Sequence, residues 1–398
     1  MTTTALGKNS PASTNEPVPL LFEFLDLKAQ YASIREEVMA AVTRVMESQH
    51  FILGPEVARF EEEVAAKLGA KYAIGCASGT DALILALLAS GISPGDEVIT
   101  TPFSFIATAG AVAYIGARPV FVDIDPATFN IDPQKIQSAI TSKTKAIMPV
   151  HLFGLPADLD PILEIARANR LSVIEDAAQA IGSRYRGRAV GTMGDFGCFS
   201  FFPSKNLGGA GDGGLIATND AGKAERLRML RGHGSRQRYF HEILGTNSRL
   251  DALQAAVLSV KLRHLDKWEA GRIDRAQRYR QLFDKKGLAR HIVSPQTPSG
   301  EFHHVFNQFT IRAQRRDELK DFLRSRGIPS EIYYPLCLHL QKAFDYLGGR
   351  AEQMPLAEKA SQEVLSLPVF PELTDAKQDL IVQAIEGFYS AANKDLQR

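Results

Sequence analysis

The sequence predicts an α/β protein in which helices flank a mainly parallel mixed sheet, followed by a smaller C-terminal α+β domain. Short aliphatic runs alternate with helical stretches through most of the first 230 residues, as in strands joined by crossover helices. The chain has 398 residues, of which 45% are hydrophobic, and this length exceeds the usual size of a single domain. Two domains are therefore expected.

The elements of the larger domain follow from the spacing of apolar residues. An amphipathic helix is predicted at 34–48. Short β-branched and aliphatic runs predict strands at 72–75, 97–100, 119–122, 146–150, 172–175, 197–200 and 214–217. The stretches between them predict helices at 81–89, 106–114, 161–169 and 221–230.

The C-terminal elements are predicted in the same way. Helical stretches at 250–265 and 268–283 precede a segment rich in Pro, Ser and Gly at 294–300. A strand near 305–311, a helix at 316–326 ended by Gly327 and a last helix at 376–389 follow. We therefore divide the chain into a disordered leader (1–19), a large domain (20–265) and a small domain (266–398).

Composition excludes several classes of partner. The formal charge of +1 comes from 46 basic and 45 acidic side chains, so no long-range field attracts nucleic acid or an anionic membrane. The longest aliphatic run, at 82–89, is too short to span a bilayer. The three cysteines form no Cys-x-x-Cys pair, and the histidines lack metal-ligand spacing. We expect a cytoplasmic protein without nucleic-acid, membrane or metal partners.

Lys205 and Asp176 are the strongest candidates for chemistry. Lys205 follows a buried-looking strand, where an amine tends to lose its proton and become nucleophilic enough to form a Schiff base with an aldehyde. Asp176 ends the strand at 172–175, and a carboxylate there needs a cationic partner. Pyridoxal 5′-phosphate (PLP) supplies both an aldehyde and a pyridinium nitrogen. A structural ion pair is the alternative for Asp176.

Other strand-end residues are candidates for holding the same cofactor, since ligands gather at this edge of a parallel sheet. Gly79 and Thr80 open a helix after a strand, which suits a phosphate, although an ordinary N-cap is the alternative. The Ser200 hydroxyl can add a phosphate contact or satisfy its own backbone. Gln179 can reach the phenolic oxygen of the ring. Phe105 can stack on the ring or pack in the core.

Seven segments of the chain, in order, resemble the sugar aminotransferases of the DegT/DnrJ/EryC1/StrS type, within the aspartate-aminotransferase fold (fold type I). The resemblance covers nearly the whole chain from about residue 20. The segments are Phe24-Leu25-Asp26-Leu27, Ser78-Gly79-Thr80-Asp81-Ala82-Leu83, Pro149-Val150-His151-Leu152-Phe153-Gly154, Glu175-Asp176-Ala177-Ala178-Gln179, Ser200-Phe201-Phe202-Pro203-Ser204-Lys205, Arg231-Gly232-His233-Gly234 and Asn247-Ser248-Arg249-Leu250-Asp251.

The resemblance implies a role for each matching position. It makes Lys205 the Schiff-base lysine and Asp176 the partner of the ring nitrogen, with phosphate contacts from Gly79, Thr80 and Ser200. It also implies a homodimer with shared active sites, in which Asn247 of the neighbouring chain completes the phosphate shell. The segment at 333–341 resembles a family segment that approaches the sugar, which makes Tyr333 and His339 candidates for substrate contacts, although packing is an equal alternative for Tyr333. His151 is also expected to face the substrate pocket.

The resemblance further implies two half-reactions. An amino acid donor, with L-glutamate expected, leaves its amino group on the cofactor as pyridoxamine 5′-phosphate (PMP). The amino group then passes to a keto sugar, expected to be nucleotide-linked, to make an amino sugar for surface polysaccharide or secondary metabolites. The alternatives are transamination of a free keto sugar acid or keto cyclitol, and a non-catalytic regulatory protein of the same fold.

Overall fold

The computed structural model describes residues 19–298 and 300–395, so the predicted leader lies outside the described residues apart from Pro19. The strands are β1 (Tyr72–Cys76), β2 (Glu97–Thr100), β3 (Arg118–Phe121), β4 (Thr144–Ile147), β5 (Ser172–Asp176), β6 (Arg184–Tyr185), β7 (Arg188–Ala189), β8 (Phe196–Ser200), β9 (Gly214–Thr218), β10 (Ser235–Gln237), β11 (Phe240–His241), β12 (Ile292–Val293), β13 (Phe302–His303), β14 (Phe309–Ala313) and β15 (Val364–Leu367). The helices are α1 (Leu27–Ser48), α2 (Pro55–Leu68), α3 (Gly79–Ala89), α4 (Ala107–Tyr114), α5 (Pro133–Ala139), α6 (Leu159–Asn169), α7 (Ala221–Arg231), α8 (Ala252–Lys285), α9 (Arg316–Ser325), α10 (Pro355–Glu363) and α11 (Asp375–Asp395).

Seven strands form the central sheet in the order β1-β9-β8-β5-β4-β2-β3. The five strands from β8 to β3 pair in parallel, whereas β9 is antiparallel to both β8 and β1. This mainly parallel mixed sheet confirms the predicted fold class. All seven predicted strands belong to it, with ends shifted by up to three residues.

Helices cover both faces of the sheet because alternate strand residues point to opposite sides. Leu215 and Ala217 of β9 pack with α1, α2 and the first half of α8, while Ile216 between them packs with α3 and α7. In the same way Phe199 of β8 faces the α8 side and Cys198 faces α3. Ser200 is two residues after Cys198, so it lies on the side of the sheet that carries α3.

Helix α8 runs without interruption across the two stretches that were predicted as separate helices. No proline occurs between residues 250 and 285 that would break it. Its first half packs in the core of the large sheet, and Ala276, Tyr279 and Phe283 pack in a second core with β14, β15 and α11. The division at residue 265 stays a prediction, and it falls within this helix.

The C-terminal region has its own antiparallel sheet, in the order β12-β14-β15. Helices α9 and α11 pack against it around Leu319, Leu323, Ile381 and Ile385. The predicted strand near 305–311 begins later, at Phe309, because the residues before it form a loop on the large domain, where Val305 N–H donates to Gly154 O at 3.1 Å. Helices α2, α5 and α10 were not predicted.

Candidate active site

Asp176 and Lys205 lie at the ends of two adjacent parallel strands. Strand β5 ends at Asp176, which pairs in register with Cys198 of β8, and Lys205 follows the end of β8 by five residues. The charges of the two side chains act on each other across this edge. The chain therefore brings together the amine and the carboxylate that the sequence singled out.

The environment of Lys205 favours the neutral amine. Burial lowers the pKa of Lys205 from its usual 10.5 to about 8, and the nearby Asp176 carboxylate limits that decrease. The backbone N–H of Lys205 donates to Phe202 O at 2.9 Å, which closes a turn after β8. A lysine with such a pKa offers a substantial fraction of free amine near neutral pH.

This pKa gives a prediction for the protein without cofactor. Between pH values of about 8 and 10.5 the unfolded chain binds more protons at Lys205 than the folded chain, so its contribution to the free energy of unfolding rises with pH. The rate at which Lys205 reacts with an aldehyde should rise with pH and level off above about pH 8, because most of the amine is then neutral.

Stopped-flow absorbance of PLP uptake across this range measures that rate. A rate that kept rising to about pH 10, as for an unperturbed lysine, would contradict the assignment.

Asp176 is 4% exposed, and two neighbours hold its carboxylate. Burial raises its pKa, whereas hydrogen bonds from Thr108 and Ala178 and the charge of Lys205 oppose that rise. Thr108 Oγ1 in α4 donates to Oδ2 at 2.8 Å, and Ala178 N–H donates to Oδ1 at 3.2 Å. Ser104 Oγ lies 2.9 Å from Thr108 Oγ1. Thr108 was not predicted from the sequence, although its position in the first turn after the Phe105 loop was a usable signal.

Two hydrogen bonds fix the orientation of the Gln179 side-chain amide. Its Oε1 accepts the Phe153 N–H at 2.7 Å, and its Nε2 donates to Tyr334 Oη at 3.1 Å. One amide hydrogen therefore remains for another acceptor. Tyr334 was not among the residues that the sequence singled out, although its neighbour Tyr333 was. Burial raises the pKa of Tyr334 well above its ordinary value, so its hydroxyl stays a donor.

The start of α3 forms a cradle with β8 and β9. Ser78 caps the helix, its Oγ accepting the Asp81 N–H at 3.1 Å. The N–H groups of Gly79 and Thr80, in the first turn before Asp81, have no acceptor within the helix and can bind an anion. A Cβ on Gly79 would lie 2.6 Å from Ser200 Cβ, and a Cβ on Gly214 would lie 2.3 Å from Ser78 O. Only glycines allow these approaches, which bring Gly79 and Ser200 together as predicted for a phosphate site.

Aromatic rings border the same region. The Phe105 ring is 56% exposed and lies 6.3 Å from the Tyr334 ring, with 40° between their planes. The alternative of a core aromatic for Phe105 is therefore wrong. Tyr333 is half-buried beside Tyr334, with ring centroids 5.8 Å apart, and its substrate role stays a prediction.

The expectation that His151 faces a substrate is wrong. The residue has no exposed surface, its Nδ1 accepts the Ala157 N–H at 3.0 Å and its Nε2 lies 3.0 Å from Glu175 Oε2. Both ring nitrogens therefore have partners inside the protein. Glu175, one of these partners, lies on the side of β5 opposite to Asp176, so the His151 ring is held away from the site.

The expectation for His339 also needs correction. His339 is 3% exposed, and its Nε2 lies 3.1 Å from Glu358 Oε1 in α10. Phe121 covers the ring at 6.4 Å between centroids. Packing between β3 and α10 therefore hides this side chain from a substrate.

Thr80 and Asn247 lie on the surface beside the cradle. Next to Asn247, the buried Ser248 donates from its hydroxyl to Asp81 Oδ2 at 2.7 Å and fixes this loop at the start of α3. The phosphate contacts of Thr80 and Asn247 stay predictions.

A mainly parallel sheet with a lysine, a buried carboxylate and an anion cradle at one edge defines the class of PLP-dependent transferases of fold type I. Within the described residues no helix is long and apolar enough to cross a membrane. Across the same ranges no three His, Cys, Asp or Glu side chains gather as metal ligands would.

The chain belongs to the DegT/DnrJ/EryC1/StrS aminotransferase family, whose model matches residues 32–386. It is 52% identical over 92% of its length to a "pleiotropic regulatory protein" of Geobacillus stearothermophilus, of which 98% is covered. It is 48% identical over 91% of its length to the UDP-N-acetyl-3-dehydro-α-D-glucosamine 3-aminotransferase of Acidithiobacillus ferrooxidans, of which 95% is covered.

The fold is similar to that of S. venezuelae DesV, solved in complex with a ketimine intermediate. The TM-score is 0.89 at 44% sequence identity, and the match covers 93% of this chain and 99% of DesV. The recognised family and the predicted fold type are thereby confirmed.

Proposed function

We propose that this protein is a PLP-dependent aminotransferase that moves an amino group from an amino acid, L-glutamate, to a nucleotide-linked keto sugar. The observation that carries the proposal is the placement of Lys205 and Asp176 at adjacent strand ends beside the cradle of Gly79 and Ser200. The enzymatic class rests on the family. The donor, the sugar and the roles of single residues rest on the chemistry of the site and on the relatives.

The residues at this edge fit PLP by their chemistry. The amides at the start of α3, with Thr80 and Ser200, would hold the phosphate. Asp176 would hold the ring nitrogen, and the free amide hydrogen of Gln179 would meet the phenolic oxygen. When bound, PLP supplies an electron sink for the bonds around the α-carbon of the amino acid.

Lys205 is the group that moves protons. A pKa of about 8 lets its amine accept a proton from one carbon and return it to another near neutral pH. The buried Asp176 carboxylate would face the ring nitrogen, with Thr108 fixing its position at 2.8 Å. Phe105 and Tyr334 supply apolar surface beside this proton path.

The sugar substrate is inferred from relatives. The A. ferrooxidans protein is named for a UDP-linked 3-dehydro sugar. DesV was captured with a ketimine, a carbon–nitrogen double bond to a former ketone carbon. Tyr333, half-buried beside the aromatic border, remains our candidate for contacting the sugar.

We propose a homodimer in which Asn247 of a second copy completes the phosphate site. Leu244 is 96% exposed and Tyr114 is 79% exposed, and both line a groove of about 610 Å³ between α3 and α4. Apolar side chains this exposed mark an interaction surface. Phe105 and Asn247 are also exposed; Phe105 lies two residues before α4, and Asn247 directly follows the groove residue Thr246. We place the protein in the cytoplasm, which suits its three unpaired cysteines.

Replacing Leu244 with Glu tests this interface. Because the side chain is fully exposed in one copy, the charge should not disturb the monomer but should weaken the dimer at least 10-fold. Sedimentation velocity measures the dissociation constant, and Tyr346→Glu, at an exposed tyrosine of the small domain, is the matched control. Unchanged self-association of the Leu244 variant would argue against this groove as the interface.

A substrate panel tests the function itself. Purified protein with PLP, glutamate and nucleotide-linked keto sugars should release 2-oxoglutarate and yield an amino sugar by mass spectrometry. Turnover only with free keto sugar acids or keto cyclitols would favour the first alternative.

A regulatory protein is the second candidate, favoured by the name of the G. stearothermophilus relative. A preparation that binds no PLP and turns over none of the panel would support it over catalysis.

A further inference from the structure

Glu175, the residue before Asp176, carries a carboxylate that is sealed inside the protein. It is 0% exposed, and each of its oxygens accepts two hydrogen bonds. The donors are His151 Nε2 at 3.0 Å and Gly191 N–H at 2.6 Å on Oε2, and Met193 N–H at 2.8 Å and Gly194 N–H at 2.6 Å on Oε1. Burial alone would raise the pKa of Glu175, but His151 and these amides lower it below its usual value. The carboxylate is therefore ionised.

His151 joins this carboxylate to the backbone of Asp176. Because Ala157 N–H donates to Nδ1 of His151, the hydrogen of the neutral ring lies on Nε2 and points to Glu175. The backbone N–H of His151 donates to Asp176 O at 3.0 Å, and Asp176 N–H donates to Pro149 O at 2.9 Å. One short segment thus contacts the side chain of Glu175 and the main chain of Asp176.

The three backbone donors come from the loop that leads into β8. This loop lies flat on the strands, since a Cβ on Gly191 would lie 2.4 Å from the Phe199 ring and a Cβ on Gly194 would lie 2.7 Å from Val173 O. Strand β8 then carries the chain to Lys205. The Glu175 carboxylate therefore links the segments that support Asp176 and Lys205.

We propose that Glu175, oriented by His151, is a positioning residue that sets the separation between the Asp176 carboxylate and the Lys205 amine. The proposal rests on the proposed function, because the cofactor ring would lie between those two groups. Neighbouring residues of a strand point to opposite faces, so Glu175 touches no cofactor atom and acts through the backbone of β5. Displacements of about 1 Å at a reacting centre cost up to about 100-fold in rate, so the support matters for chemistry.

Glu175→Gln is the direct test. Every oxygen lone pair of Glu175 faces an N–H donor, so the amide NH₂ of Gln must face donors wherever it points. We expect the PLP dissociation constant to rise at least 10-fold. We also expect the circular dichroism that the protein induces in the cofactor band, which reports ring orientation, to fall by at least half.

Asp123→Asn is the matched control. Asp123 is also a buried carboxylate, 6% exposed, and accepts the N–H groups of Leu356 at 3.1 Å and Ala357 at 2.9 Å. It follows β3, at the far edge of the sheet from β8. This variant should lower the melting temperature of the cofactor-free protein while leaving PLP affinity and induced dichroism within twofold of wild type.

A Glu175 variant that melts earlier yet keeps wild-type PLP affinity and dichroism would overturn the proposal and leave Glu175 a purely structural residue. Should that variant not fold, His151→Asn removes one of the four donors and should weaken PLP binding about threefold with a smaller loss of dichroism; no change would equally overturn it. Wild-type protein that binds no PLP would refute the proposed function itself, before either variant is measured.

Discussion

Replacing Lys205 with Ala is expected to abolish the visible absorption band of bound PLP and to reduce turnover by at least about 1,000-fold. The substitution removes both the amine that bonds to the aldehyde and the group that carries the proton, and general acid–base catalysis alone contributes about 100- to 10,000-fold. Absorbance spectra of the purified variant with PLP, and release of 2-oxoglutarate in single-turnover and steady-state assays, measure the two effects.

Lys261→Met is the matched control for the Lys205 variant. Burial also lowers the pKa of Lys261 to about 8, but its charged partner is Glu372, and its Nζ donates to Gly208 O at 2.5 Å. Loss of this buried lysine should reduce stability while the visible band remains. A Lys205 variant that retained the band and full turnover would remove the basis of the proposed function.

Asp176→Asn is expected to reduce turnover about 100- to 1,000-fold while the protein still forms the visible band. The variant keeps the size of the side chain and its contact with Thr108 but takes away the charge that stabilises a protonated ring nitrogen, and such preorganised electrostatic contacts account for losses of about this size. Steady-state kinetics on both half-reactions measure the effect.

Thr108→Val tests the hydrogen bond to Asp176 separately from the charge. It removes the 2.8 Å hydrogen bond to Asp176 Oδ2 without removing the charge, so a loss of turnover of about 10-fold or less is expected.

An Asp176→Asn variant that turned over within 10-fold of wild type would show that the ring nitrogen does not depend on this carboxylate.

The sequence alone was sufficient to predict the strands of the central sheet and to place Lys205 and Asp176 in one site. Strands such as β5 and β8 are short buried runs whose composition distinguishes them locally, and in a parallel sheet their C-terminal ends must share one edge. Lys205 and Asp176 could therefore be placed together without knowing the packing. Gly79 could be placed there too, since the start of α3 is signalled by the Ser78 cap.

Packing between distant segments determines which side chains are buried and which contact each other, and the sequence did not reveal this. Nothing in their motifs marks His151 and His339 as buried. In the structure both are buried and contact Glu175 and Glu358, which lie 24 and 19 residues further along the chain. The contact between Gln179 and Tyr334 joins residues 155 positions apart.

Local periodicity and capping report only the conformation of nearby residues, so the strands of the central sheet follow from the sequence, with their ends placed to within three residues. Which side chains face a site and which are buried behind it depends on tertiary contacts made far along the chain. Only the folded structure could show that the His151 ring contacts Glu175 on the face of β5 opposite to Asp176, because the partners of a side chain on one face of β5 come from the helices and loops packed against that face.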